Sequence, residues 1–204
     1  MKTLIMIDVQ NDFMPGGSLA VPGGNLIVPV INRIQSHFDL ILATQDWHPV
    51  NHKSFASNHF GTKPFDRMVL HGSLQTLWPD HCIQGTTGAE LDKNIESDRI
   101  AAIFRKGMDP EVDSYSGFYD NNHALSTGLA GYLKEKGANE ICFCGLAADI
   151  CVYYSILDSI LEGFFATFIE DASSPLYPEK FDDIKCELAK VGVRFVHSRE
   201  LLAD

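Results

Sequence analysis

Six short apolar runs, rich in β-branched residues and separated by longer stretches of helical period, constrain this chain more than any other feature. They occupy residues 3–9, 40–44, 101–104, 140–145, 166–169 and 193–196. Each is nearly continuous in its apolar character rather than alternating with polar residues, which is the pattern of strands buried on both faces. Helical period runs over 25–38, 123–136, 149–161 and 179–190. The last three segments lie between strands or before the final one, so they read as repeated β-α-β units. Gly137 directly follows Lys136, and Gly192 lies shortly after Lys190, the residue types that end helices. With 204 residues, 45% of them hydrophobic, the chain can enclose one substantial core. The expected fold is α/β, a single domain over residues 1–204 with three αβα layers around a six-stranded, mainly parallel sheet.

The stretch from His48 to Ile100 breaks this rhythm, with Pro49, Pro64 and Pro79 interspersed with Gly61, Gly72 and Gly85. It is longer than a connection in a compact domain needs, and long excursions of this kind are usually functional. A formal charge of −11 argues against a nucleic-acid partner, because clustered Lys and Arg are absent. No segment has the roughly 20 apolar residues that span a bilayer. Asp8 cuts short the apolar start of the chain, so no signal-peptide core is expected there. Five cysteines, an odd number without disulfide or four-cysteine zinc spacing, point to a reducing, cytoplasmic setting. Monomer and homo-oligomer both stay open.

In an open parallel sheet, ligands bind beyond the carboxyl ends of the strands. The reactive residues expected there are Asp8 after the first strand, Asp46 and His48 after the second, Lys106 after the third and Cys151 after the fourth. Cys151 stands at the start of a helical stretch, where unpaired N–H groups and the helix dipole favour thiolate; the alternative is an inert buried thiol. Asp8 is either a loop cap or the base for that thiol, and Lys106 either a solvated charge or the cation that stabilises both. Asp46 and His48, at i and i+2, point the same way in an extended segment, with His52 and His81 nearby in sequence. Such groups suit zinc, iron or manganese, or they are polar-loop histidines without a metal. Trp47 and Trp78 adjoin them as pocket walls or core, and Phe13, Tyr115 and Phe118 supply further aromatic surface after strands. The turn from Gly145 to Asp149 offers backbone N–H donors for a developing oxyanion, or is an ordinary helix start.

Read together, six motifs resemble those of the isochorismatase-like cysteine hydrolases, and within them the nicotinamidase group. They are Ile7-Asp8-Val9-Gln10-Asn11-Asp12-Phe13, Asp46-Trp47-His48, Trp78-Pro79-Asp80-His81-Cys82, Lys106-Gly107, Tyr115-Ser116-Gly117-Phe118 and Gly145-Leu146-Ala147-Ala148-Asp149-Ile150-Cys151-Val152. The resemblance runs in order along nearly the whole chain. It implies an isochorismatase-like hydrolase fold with a metal-binding excursion at about 46–85. It implies a triad of Asp8, Lys106 and Cys151, and an oxyanion hole from the N–H groups of Ala147 and Cys151 beside a cis peptide between Leu146 and Ala147. Asp46, His48 and His81 are the implied ligands of one divalent ion, zinc first and iron or manganese as alternatives. Members differ in this loop, so whether His52 adds a ligand stays open. Phe13, Trp78 and Tyr115 are implied to line a nicotinamide pocket. The implied reaction is metal-dependent conversion of nicotinamide to nicotinic acid and ammonia through a thioester in NAD salvage, with pyrazinamide as a further substrate. A carbamoyl or ureido amidohydrolase of the same group is the alternative.

Overall fold

A computed structural model describes residues 1–203. The strands are β1 (Lys2–Ile7), β2 (Leu40–Asp46), β3 (Arg67–Leu70), β4 (Ser73–Thr76), β5 (Ile100–Lys106), β6 (Glu140–Leu146), β7 (Phe165–Ser174) and β8 (Arg194–Val196). The α-helices are α1 (Val28–Ile34), α2 (Leu129–Glu135), α3 (Tyr153–Leu161), α4 (Phe181–Lys190) and α5 (Ser198–Leu201). Six strands form one sheet in the order β5-β2-β1-β6-β7-β8, and each neighbouring pair is parallel. The order reverses between β1 and β6, which opens the crevice where α/β sheets bind ligands.

The apolar runs explain the layers. Leu4 and Met6 point to one face, where Ile31 and Ile34 of α1 meet them in one buried cluster. Ile5 and Ile7 point to the other, packing with Leu133 of α2, Ile156 of α3 and Leu188 of α4 in a second. Alternate side chains of a strand face opposite ways, so a strand covered on both sides must be apolar at every position. Burying each such side chain contributes roughly 1.5–3 kcal/mol. The β1–β6 seam is unusually close at its upper end. Gly145 pairs with Ile7 at φ +122°, and a Cβ on it would stand 2.1 Å from the Ile7 carbonyl oxygen, so only glycine fits.

Three expectations need correction. Helix α2 begins at Leu129 rather than at residue 123. The Asp120 carboxylate accepts the N–H groups of Asn122, Ala124 and Leu125 and holds that stretch as a loop, a local capture that competes with helix. Segment 149–161 is not one α-helix: a π turn at Ala148–Val152 precedes α3. The long excursion contains an antiparallel hairpin of β3 and β4, which lacks a buried apolar face and so left no strand signal. Among the described residues no helix is long and apolar enough to cross a membrane.

Candidate active site

The ends of β1, β2 and β5 and the turn after β6 bring Asp8, Asp46, Lys106 and Cys151 to one buried point. Lys106 is the hub, 2% exposed. Its Nζ lies 2.9 Å from Asp8 Oδ2, 2.5 Å from Asp46 Oδ1 and 3.5 Å from Cys151 Sγ, and donates to the Ser114 carbonyl at 2.8 Å. A lysine so enclosed is tolerated only because its charge is compensated. Burial opposes its ionisation, but Asp46 and Asp8 outweigh burial and hold its pKa well above the ordinary value.

Asp8 adopts a left-handed backbone at φ +49°, uncommon outside glycine and costly when not enforced. Thr44 secures it twice: its hydroxyl donates to Asp8 Oδ1 at 2.6 Å and accepts the Asp8 N–H at 3.1 Å. Asp8 Oδ2 faces Lys106 as an ion pair but lacks hydrogen-bond geometry to any partner, so a lone pair stays available. Burial raises the Asp8 pKa despite the lowering by Lys106, a direction that suits a base. Asp46 goes the other way, because Lys106 and His48 together overcome burial and hold it below the ordinary carboxylate range. Two neighbouring carboxylates thus divide their roles through environment.

Cys151 lies in the π turn, 7% exposed. Burial pushes its thiol well up, more than Lys106 draws it down, and Asp8 and Asp46 add to the rise. Burial thus opposes the thiolate that a helix start favours, and the Cys151 Sγ shares a cluster of donor atoms within 4.8 Å with Asp8 and Asp46, where a base stands ready. The Leu146–Ala147 peptide is cis.

Asp46, His48 and His81 offer three donor atoms within 4.8 Å of one another, all buried. The geometry fits a metal ion. His48 Nδ1 lies 2.8 Å from the Gly107 carbonyl and His81 Nδ1 2.8 Å from the Pro79 carbonyl, so each Nδ1 carries the proton and donates. That leaves both Nε2 lone pairs free, and they converge on Asp46 Oδ2 at 3.5 and 3.8 Å. Backbone carbonyls that fix the tautomer in this way are the usual outer partners of metal-bound histidine, and two imidazoles with a carboxylate suit zinc, iron or manganese. Gly107 makes the approach possible: at φ +65°, a Cβ there would fall 2.3 Å from His48 Cε1.

His52 lies beside this set. Its Nδ1 takes the Ser54 N–H at 3.2 Å and lies 2.7 Å from Ser54 Oγ. Its Nε2 is buried without a hydrogen-bond partner among the described residues, and with His48 and Asp113 it forms a second set of buried donor atoms within 4.8 Å of one another. Burial keeps His52 neutral by lowering its pKa, and His81 is held down to about 4, again chiefly by burial.

The pocket over Cys151 is walled by Phe13, Trp78, Tyr115, Leu19, Val21, Ile150 and Leu176, with Asp46, His81, Asp113 and Ala147 at its polar points. Phe13, Trp78 and Tyr115 come together in this wall. Phe118, expected as further aromatic surface, is instead fully buried in the core under α2, and Trp47 lies under the Arg105 guanidinium, 3.8 Å from its ring centre. A neighbouring cavity of about 230 Å³ shares Asp113 and Tyr115 with this pocket but reaches none of the reactive trio. Leu19, Val21, Ile150 and Leu176 carry no chemical signal in sequence, and Asp113 looks like any loop carboxylate. Thr44 had one, a hydroxyl at the end of a strand beside Asp8.

An isochorismatase-domain family model matches residues 2–199. The nicotinamidase of Acinetobacter baylyi is 44% identical over 200 residues, 98% of this chain and 94% of that protein. Among solved structures, a nicotinamidase pyrazinamidase of Acinetobacter baumanii is similar at a TM-score of 0.95 and 41% identity, covering 98% of this chain and 97% of that one. The pyrazinamidase of Pyrococcus horikoshii in complex with zinc is similar at 0.79 and 34%, covering 96% and 98%.

Proposed function

The chain belongs to the isochorismatase family, and on that premise we propose that it is a nicotinamide amidohydrolase with Cys151 as nucleophile, Asp8 as base and acid, and Lys106 as their shared cation. The observation that carries this reading is Lys106 Nζ at 2.9 Å from Asp8 and 3.5 Å from Cys151, with Cys151 itself lining an aromatic pocket.

Phe13, Trp78 and Tyr115 hold the flat ring and exclude water around the carboxamide. Asp8 Oδ2 accepts the thiol proton as Sγ forms a bond to the carboxamide carbon, and Lys106 balances the charge on both partners. The N–H groups of Ala147 and Cys151 receive the developing oxyanion, and removal of one such donor typically costs roughly 10²–10³ in rate. The C–N bond breaks as Asp8 returns the proton to the departing nitrogen, so ammonia leaves and a thioester remains. Water then attacks with Asp8 as base, releasing nicotinic acid and restoring the thiol. Nicotinamide and water in, nicotinic acid and ammonia out, close the balance.

We assign Asp46, His48 and His81 as the residues that would hold a divalent ion, zinc, which would supply Lewis-acid character beside the substrate ring. Similarity to the zinc-bound pyrazinamidase supports zinc over iron or manganese. Pyrazinamide, which keeps a ring nitrogen at the same offset from the carboxamide, is a second substrate. Five cysteines without a disulfide suit a reducing compartment such as the cytoplasm, where the product feeds NAD salvage.

The test is ammonia release from nicotinamide, pyrazinamide and an N-carbamoyl amino acid by metal-analysed protein, with and without chelator. We expect turnover of the first two only. Chelation should lower kcat/KM by about two orders of magnitude or more, restored by zinc. Release from the carbamoyl compound alone would transfer the protein to the other amidases of the group.

A further inference from the structure

Two side chains between Asp8 and Phe13 take no part in the mechanism above, yet both are spent on the backbone that carries the metal donors. Gln10 is fully buried. Its Oε1 accepts the Asp46 N–H at 2.8 Å while its Nε2 donates to the Asp46 carbonyl at 2.8 Å and to the Ala89 carbonyl at 2.8 Å. The carboxamide thereby pairs with the Asp46 backbone as a neighbouring strand would, just where β1 has ended and no strand is left to do so. Asp12 does the corresponding work on the other side. Its Oδ2 accepts the Cys82 N–H at 2.7 Å, and the Cys82 carbonyl accepts the His48 N–H at 3.0 Å. Cys82 sits at φ +46°, a backbone that a non-glycine residue keeps only when held. Cys82, the residue after His81, thus links Asp12 to His48 through its N–H and its carbonyl.

We propose that Gln10 and Asp12 are positioning residues that preset the metal-donor geometry, Gln10 through Asp46 and Asp12 through the His81-Cys82 turn. The proposal rests on Asp46, His48 and His81 being the metal ligands. Partners one shell out from a metal typically change its affinity roughly 10- to 100-fold when lost.

The deciding measurement is the zinc dissociation constant, by competition with a chromophoric chelator, alongside thermal melting, for the full chain. Gln10→Leu, Gln10→Glu and Asp12→Ala should each weaken zinc about 10- to 100-fold. Gln10→Glu keeps the shape but loses both donations, so it serves should Gln10→Leu fail to fold. Asp12→Asn retains an acceptor oxygen and should restore most of the affinity. Gln35, 1% exposed and donating to the Glu96 carbonyl at 2.9 Å, provides the control: Gln35→Leu should lower the melting temperature without moving zinc affinity. Lowered melting with unchanged zinc affinity in the Gln10 and Asp12 variants would overturn the proposal. Failure of the unaltered protein to bind zinc would instead remove the metal assignment, and the positioning roles with it.

Discussion

Replacing Cys151 with alanine is expected to abolish ammonia release from nicotinamide, with kcat falling by about 10⁴-fold or more while the fold and zinc content persist. No other group can substitute as nucleophile. Among the described residues the remaining thiols are remote from Asp8 or shielded: Cys82 is fully buried behind the metal loop, and Cys144 lies in the sheet with burial pushing its pKa up beyond the ordinary range. Removal of a nucleophile in a triad that acts as a unit costs roughly 10⁶ in the best-measured hydrolase, leaving only what binding and the oxyanion donors supply. Removing a largely buried sulfur leaves a small void, and the surrounding packing of Val152 and Ile156 should hold the melting temperature within a few degrees. Steady-state ammonia assays with circular dichroism melting check both halves. Turnover within tenfold of the unaltered protein would reassign the nucleophile.

The second large effect concerns stability as well as rate. Lys106→Met keeps most of the side-chain volume but leaves Asp8 and Asp46 buried opposite one another with no cation between them. Removing one partner from a buried ionic set is expected to destabilise by about 3–5 kcal/mol, readable as a shifted urea midpoint at unchanged slope. Activity should fall by at least 10³-fold even where the protein is folded, because the negative charge that develops on Cys151 as Asp8 takes its proton then faces the Asp46 carboxylate with no compensating cation. Asp8 should become harder to ionise, since burial already raises its pKa and Lys106 is the chief influence opposing that rise. A variant as stable as the original would mean that the ion cluster contributes nothing net to the fold.

The sheet was legible because its central strands, buried on both faces, must be apolar at nearly every position, and that requirement is written in runs such as Leu4 to Ile7 and Ile141 to Phe143. The β3–β4 hairpin was not, because Val69 and Leu74 stand exposed and no burial pattern marks them. Residues 123–128 carried helical spacing, but Asp120 captured their N–H groups first. The reactive residues were legible for a topological reason: Asp8, Asp46, Lys106 and Cys151 each follow a strand, and parallel strands deliver their ends to one edge. Whether His52 joins the donor set was beyond reach in sequence, because spacing does not encode which atoms meet each ring nitrogen: the Pro79 carbonyl at His81 Nδ1, the Ser54 N–H at His52 Nδ1. The burial that pushes the Cys151 thiol up was likewise invisible in sequence, since only the fold reveals it. Gln10 and Asp12 stood in the first motif from the outset, yet their partners lie 36 and 70 residues away.

If Cys151 carries the acyl group of nicotinamide, acid quenching of the zinc-loaded protein during turnover traps it for peptide mass spectrometry. One nicotinoyl group is expected on the peptide that contains Cys151, lost on addition of hydroxylamine and absent from Cys151→Ala. A nicotinoyl group on another residue, or ammonia release with no acylated protein at any quench time, would contradict it.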